Sequence, residues 1–343
     1  MHKQFFIFFI VVSIIGIPIT AAVDFYAKNR DAYTDFLLKT LNTTPIDVLY
    51  FGDSTIRFYA SHDKDKRGID QFFQEKSKLS VCTVANPGFS PIIYRQYVKL
   101  LKLTKYKPKL IIIPINLRGF SDSICTRPSV SFPLKQIYIN YRYTGKLDWK
   151  SYLQYRFLGR EDSENDAWFD LPVIRNNRFI GTNRQVLAAS RISDFIDYDA
   201  AREARYAKQL ALKFNYHYMM TITQKHQMLT YLDTTIDEIK QLHIPVLIYF
   251  TPINIDDGKK YDGLDFLKRV RANFTIIRNR IERKGVPVLD LSEMLPPADF
   301  FHKADVFEHL DTEGRQKVAG KVATAALHIL QTNSVAGCLT DAH

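Results

Sequence analysis

Two short segments near opposite ends of the chain contain residue types that together can perform acyl-transfer chemistry. Ser54 follows an apolar run, in the segment Tyr50-Phe-Gly-Asp-Ser-Thr55, and His309 lies in a polar segment before an amphipathic helix. A serine hydroxyl becomes a nucleophile when a histidine takes its proton and a carboxylate orients that histidine. We therefore predict a nucleophile and base pair of Ser54 and His309. Gly-Asp-Ser alone is a weak signal, because Asp53 and Ser54 also fit a helix cap.

Two roles have more than one candidate: the acid that orients the histidine, and the base itself. Asp305 and Glu308 both lie close to His309 in the sequence, and either carboxylate fits the orienting role. His302 lies in the same part of the chain and is the main rival of His309 as the base. The other histidines with a clear context, such as His328, lie in helical patterns and fit packing or surface positions.

Two further turns offer donors for an oxyanion, the negative oxygen that forms when a carbonyl is attacked. Gly88 lies in the turn 85–90 and can present a backbone N–H without side-chain interference. Asn116 follows an apolar run and can offer its side-chain amide. Taken singly, each residue also fits a structural role, as a turn glycine or a strand-end asparagine.

The elements that must position these residues alternate between strand and helix patterns. Near-continuous apolar runs indicate strands that are buried on both faces, as in a parallel sheet covered by helices. We therefore predict an α/β fold, a three-layer α/β/α sandwich with a mostly parallel five-stranded sheet. The predicted strands are 47–52, 80–84, 109–116, 244–250 and 286–291, and the predicted helices are 91–104, 202–242, 263–284 and 312–331.

The N-terminus contains 19 consecutive residues, 5–23, without a charged side chain. A membrane-spanning helix needs about 20 apolar residues, whereas the apolar core of a secretory signal has about 7–15. We favour an uncleaved transmembrane anchor, with a signal peptide cleaved near Thr20-Ala-Ala22 as the main alternative, and both place the remainder of the chain across the membrane. A buried helix of a soluble protein is the third alternative. Residues 24–45 are predicted to form a juxtamembrane helix, and 332–343 a C-terminal tail.

The composition of the chain excludes several classes of protein and of binding site. The chain has 343 residues, of which 46% are hydrophobic, so a disordered protein is excluded. Its net charge of +11 fits an anionic polymer or membrane surface, and no nucleic-acid motif accompanies it. The three cysteines form no zinc-binding pattern; Cys82 and Cys125 fit either a disulfide or free thiols. An aromatic insertion at 121–200 fits a lid or a partner surface.

The order of these motifs resembles the SGNH (GDSL) hydrolase superfamily, over about residues 46–331. The resemblance implies that Ser54 is the nucleophile, His309 the base and Asp305 the residue that orients it. It further implies that the backbone N–H groups of Ser54 and Gly88 and the amide of Asn116 form the oxyanion hole. No metal or organic cofactor is expected.

Two departures from the superfamily pattern leave roles open. The family's aspartate usually stands three residues before the histidine, where this chain has Val306, so the acid is Asp305, Glu308 or neither. The third block usually carries a glycine before its asparagine and an aspartate after it, where this chain has Pro114 and Leu117. Arg118 then fits a contact to a carboxylate or an anionic substrate, or a surface charge. Asp53 is a further candidate for a supporting role.

The apolar N-terminus, the insertion and the segment Glu308–Gly314 resemble membrane-anchored SGNH proteins of bacterial envelope acylation. This likeness implies a serine esterase or O-acyltransferase on the outer side of the cytoplasmic membrane. Its expected substrate is an envelope polysaccharide, an anionic polymer or a lipid-linked glycan. The alternative is a non-catalytic SGNH-like accessory protein that docks on a membrane acyltransferase.

Overall fold

The computed structural model describes residues 31–60, 63–121, 132–153, 172–175, 178–182, 184–185, 200–301, 306 and 308–340. The five predicted apolar runs form strands, and all their pairings are parallel, in the spatial order β2-β1-β3-β6-β7. A separate antiparallel hairpin, β4-β5, lies in the insertion. The strands are β1 Val48–Gly52, β2 Val81–Ala85, β3 Leu110–Ile115, β4 Pro172–Arg175, β5 Arg178–Thr182, β6 Val246–Phe250 and β7 Val288–Asp290.

Helices connect the parallel strands and also flank the hairpin. Short 3₁₀ helices follow the fourth helix and β3. The α-helices in the described ranges are α1 Ala32–Thr43, α2 Ser54–Arg57, α3 Ile69–Ser77, α4 Pro91–Leu100, α5 Pro133–Thr144, α6 Trp149–Leu153, α7 Ala200–Tyr218, α8 Gln227–Gln241, α9 Ile255–Asp262, α10 Asp265–Glu282 and α11 Thr312–Thr340.

The sheet separates two hydrophobic cores because successive strand residues point to opposite faces. In β1, Leu49 and Phe51 belong to a larger core with α1, α4, α7, α8 and α10. Val48 and Tyr50 belong to a second core with α3 and α11. The prediction of a mostly parallel five-stranded sheet covered by helices is therefore confirmed.

Three helix predictions differ from the structure. The helix predicted over 202–242 is two helices, α7 and α8, with a turn between them in which Asn273 Oδ1 accepts the Ile222 N–H at 3.0 Å. The helix predicted from residue 263 begins at Asp265, because Gly263 adopts a left-handed turn with φ of 74° after the separate α9. The last helix continues to Thr340, well beyond residue 331.

The segment after the predicted anchor belongs to the folded core. Helix α1 covers only part of the predicted 24–45 helix, and its Leu37 and Leu41 are fully buried in the larger core. Every helix in the described ranges is too short or too polar to span a bilayer. Residues 1–30 lie outside those ranges, so the anchor stays a prediction. Cys82 is a free, buried thiol, and Cys125, its partner in the alternative of a disulfide, lies outside the described residues.

Gly52 allows the helix that carries Ser54 to start close to the end of β1. A Cβ at this position would lie 2.3 Å from Cγ1 of Ile56 and 3.1 Å from Cβ of Ala85. Such separations require the neighbouring side chains to shift. Close packing therefore explains why the first position of the Gly-Asp-Ser motif is a glycine, in addition to its place before the serine.

We expect Gly52→Ala to reduce the free energy of unfolding by about 1–3 kcal/mol, because the added methyl group overpacks this contact. Urea unfolding at equilibrium measures the change. Gly119→Ala is the matched control, since nothing lies within 4 Å of its added Cβ, and should change stability by less than about 1 kcal/mol. Equal effects of the two substitutions would contradict the packing argument.

Candidate active site

The structure brings Ser54 and His309 together across 255 residues of sequence. His309 Nε2 lies 3.2 Å from Ser54 Oγ, within hydrogen-bond reach. Ser54 is the first residue of α2, which directly follows β1, and His309 lies just before α11. For Ser54 to donate its hydroxyl proton, Nε2 must carry none, so the ring hydrogen then sits on Nδ1. A nucleophile and its base require this arrangement.

Both the ring and the backbone of His309 are held in place. The Phe58 ring lies 4.9 Å from the His309 ring between centroids, and the Phe301 ring lies 6.4 Å away. The Phe301 N–H donates to the His309 carbonyl oxygen at 2.8 Å, beside an antiparallel bridge between Phe300 and Leu310. Phe58 is itself fixed one turn from the serine, because its N–H donates to the Ser54 carbonyl at 2.9 Å.

Asp53 acts both as a helix cap and as a partner of Asn116. Its Oδ1 accepts the Thr55 N–H at 2.8 Å, the capping role that its sequence position also fits. Asn116 Nδ2 donates to Asp53 Oδ2 at 3.3 Å, and Asn116 Oδ1 accepts the Arg118 N–H at 3.0 Å. These two contacts set the amide orientation, because a carboxylate can only accept. The second N–H of the amide stays available for another acceptor.

Gly88 lies in the loop that follows β2, next to the end of β1. Its φ of 79° is in the left-handed region, where glycine carries no penalty from a Cβ. The loop is tied to β1 because the Asn86 N–H donates to the Gly52 carbonyl at 3.3 Å. A small pocket beside these loops is lined by Asp53, Ser90 and Asn116 together with apolar side chains.

Glu308, which directly precedes His309, lies close to the side chain of Arg118. The Glu308 carboxyl is buried, and its Oε1 lies 3.9 Å from Arg118 Nε. Its hydrogen-bond partners are the hydroxyl groups of Tyr218 and Thr251. Burial raises the pKa of Glu308 to about 8, and the Arg118 guanidinium opposes that shift. Arg118 is therefore a buried partner of a carboxyl rather than a surface charge.

Two candidates from the sequence have no structural test. Asp305 and His302 lie outside the described residues. Their roles, as the orienting acid and as the rival base, stay predictions. In the ranges that the structure does describe, no group of three or more His, Cys, Asp or Glu side chains is placed to hold a metal ion.

Sequence reasoning missed Arg315, in the first turn of α11. Its side chain is completely buried and donates through Nη1 to Asp63 Oδ2 and to the Leu310 carbonyl, both at 2.7 Å. Nη2 and Nε donate to the carbonyls of Asp65 and Arg67, at 2.6 and 2.9 Å. One guanidinium therefore joins the loop after α2 to the residue after His309. A charged residue early in an amphipathic helix gives no sequence signal of this role.

Comparisons with known proteins give only distant likenesses. No family model matches the chain, and no curated protein matches it. Among solved structures it is similar to a provisionally assigned acylhydrolase from Bacteroides fragilis, with 10% identity over 88% of this chain and 99% of that chain, at a TM-score of 0.37. It is also similar to an acetylxylan esterase from Geobacillus stearothermophilus, with 11% identity over 82% and 94%, at 0.38. Likeness at this level assigns neither a family nor an activity.

We expect Arg315→Leu to reduce the free energy of unfolding by about 3–5 kcal/mol, because it leaves the buried Asp63 carboxylate without its partner. Thermal and urea unfolding measure the loss. Arg271→Leu is the matched control: its bidentate ion pair with Glu293 is exposed and should contribute about 1 kcal/mol or less. A small effect at Arg315 would show that the guanidinium does not hold the two loops.

Proposed function

We propose that the chain is a serine-dependent ester hydrolase or O-acyltransferase of the SGNH type. The observation that carries the proposal is the 3.2 Å separation between Ser54 Oγ and His309 Nε2. Ser54 Oγ attacks the ester carbonyl while His309 takes its proton, and a tetrahedral oxyanion forms. That intermediate collapses, and the alkoxide leaves as an alcohol because His309 gives it the proton. Water or an acceptor hydroxyl then attacks the acyl-enzyme while His309 takes its proton. The second intermediate collapses, the acyl product leaves, and His309 returns the proton to Ser54 Oγ.

The proposed oxyanion hole consists of the backbone N–H groups of Ser54 and Gly88 and the side-chain amide of Asn116. The amide orientation that Asp53 and Arg118 impose on Asn116 supports this role, because it leaves one N–H to donate. Asp305 is the proposed acceptor of the His309 Nδ1 hydrogen. The mechanism needs no metal or organic cofactor.

The proposed substrate is an envelope polysaccharide, an anionic polymer or a lipid-linked glycan, on the outer side of a bacterial cytoplasmic membrane. The uncharged segment at 5–23 and the net charge of +11 support this location. The Phe58 ring lies beside the His309 ring and is exposed, as is the adjacent Tyr59, with 44% of Phe58 and 43% of Tyr59 accessible. Such rings combine apolar area with a fixed shape against which a substrate can pack.

We expect Ser54→Ala and His309→Ala each to lower ester hydrolysis by at least about 10³-fold, because neither half of the nucleophile and base pair works alone. The assay uses the full chain in detergent with an activated acetyl ester, and a fluorophosphonate probe read by mass spectrometry. His328→Ala, on the exposed side of α11, is the matched control, and His302→Ala is also expected to retain activity.

Probe labelling at a residue other than Ser54 would refute the assignment of the nucleophile. A wild-type chain without hydrolysis or transfer, together with a Ser54→Ala variant that still functions in cells, would reject catalysis. That pair of results would favour the non-catalytic alternative, an accessory protein that docks on a membrane acyltransferase.

A further inference from the structure

Glu308, which directly precedes the proposed base, combines two unusual features. Its side chain is buried, with only 1% of the residue accessible. Its backbone adopts the left-handed conformation, with φ of 63°, which residues other than glycine rarely use. The next residue, His309, nevertheless reaches Ser54. Such a backbone persists only where the surrounding contacts hold it, so the contacts of Glu308 are decisive.

Two hydroxyl groups from separate elements meet the Glu308 carboxyl. Tyr218, the last residue of α7, places its Oη 2.7 Å from Glu308 Oε1. Thr251, directly after β6, places its Oγ1 2.6 Å from Glu308 Oε2. The carboxyl thus connects the residue before His309 to the end of the sheet and to a helix on its face.

The protons around this carboxyl identify its charge state. Tyr218 Oη lies 2.7 Å from two oxygens, Glu308 Oε1 and the Val306 carbonyl, but the phenol has only one proton to donate. An ionised carboxylate would leave one of these short contacts without a hydrogen. A protonated carboxyl supplies it: Glu308 donates to Tyr218, and Tyr218 donates to Val306.

We propose that Glu308 is a positioning residue that works as a neutral acid and holds the His309 loop to β6 and α7 through Thr251 and Tyr218. The proposal rests on the proposed function only in that His309 is the base. The role of Glu308 is distinct from that of Asp305, the proposed acceptor of the His309 Nδ1 hydrogen. Glu308 carries no charge, and its hydrogen bonds to Tyr218 and Thr251 position the loop rather than the imidazole ring.

The charged groups that face Glu308 act in opposite directions. Burial raises its pKa to about 8, Arg118 lowers it, and the negative charge of Asp53 raises it. The native chain therefore holds a proton here that the unfolded chain loses above its usual pKa of 4.5. A state that binds more protons loses stability as the pH rises, so this contribution declines from about pH 4.5 to about pH 8.

Glu308→Gln tests the charge state without reference to catalysis. Glutamine keeps the shape and the donor but cannot ionise. We expect the stability of the wild type relative to Glu308→Gln to fall as the pH rises from about 4.5 to about 8, measured by urea unfolding of the full chain in detergent. Glu313→Gln, at an exposed glutamate, is the matched control and should show no such fall. A flat difference at Glu308 would overturn the neutral acid.

Activity then tests the positioning role. Glu308→Ala should lower kcat about 10²-fold with little change in KM, because the base is misplaced. Glu308→Gln should restore most of that loss and retain its kcat above pH 8, where the wild type declines. If Glu308→Gln instead falls as far as His309→Ala, the charge is needed and the proposal is wrong. A wild-type chain without hydrolysis or transfer, with Ser54→Ala still functional in cells, would refute the proposed function, while the pH dependence of stability would still decide the state of Glu308.

Discussion

The parallel pairing of β1 with both β2 and β3 is the constraint on which the candidate site depends. Parallel strands place all their carboxyl ends at one edge of the sheet, and the loops that leave that edge must share the space above it. Ser54, Gly88, Asn116 and Thr251 all follow different strands of this sheet, although they are spread over about 200 residues of sequence. The two hydrophobic cores fix the register of the sheet, because a slip of one residue would move each strand's side chains to the opposite face.

The described residues of the His309 loop belong to no strand of the parallel sheet, and buried polar groups hold them. Arg315 directs all of its nitrogens to oxygens of neighbouring loops, and Glu308 engages two hydroxyl groups. Burying such groups is costly unless every one finds a partner, so each contact also excludes alternative loop conformations. The proposed base is therefore located by these hydrogen bonds together with the burial of Leu310 in the second core and the contact of the Phe58 ring.

The sequence predicted the parts of this molecule that depend on local pattern. Apolar runs located the five parallel strands, and the placement of Ser54 after one of them separated it from the many other serines. Tyr218 and Thr251 escaped prediction because they meet Glu308 from 90 and 57 residues away in the chain. The break between α7 and α8 escaped it because the helical pattern continues through the turn, which is stabilised by Asn273 from a distant helix. The sequence left Arg118 as a contact to a carboxylate or an anionic substrate, or as a surface charge. Only its neighbours in space decide between these roles.

The start of α1 sets a physical limit on where the site can work. Asp31 caps this helix, accepts from Tyr97 Oη at 2.6 Å and pairs with Lys135, so the folded body is fixed from residue 31 onward. If residues 5–23 span a membrane as proposed, the seven residues 24–30 connect the bilayer to that fixed point, and the eight Cα steps from residue 23 to Asp31 reach at most about 28 Å when fully extended. The site would then work in a layer next to the lipid surface whose depth is the tether length plus the distance from Asp31 to the site. Polymer ends or lipid-linked intermediates inside that layer would be reached at a high effective concentration, and material farther out in the envelope would not be reached.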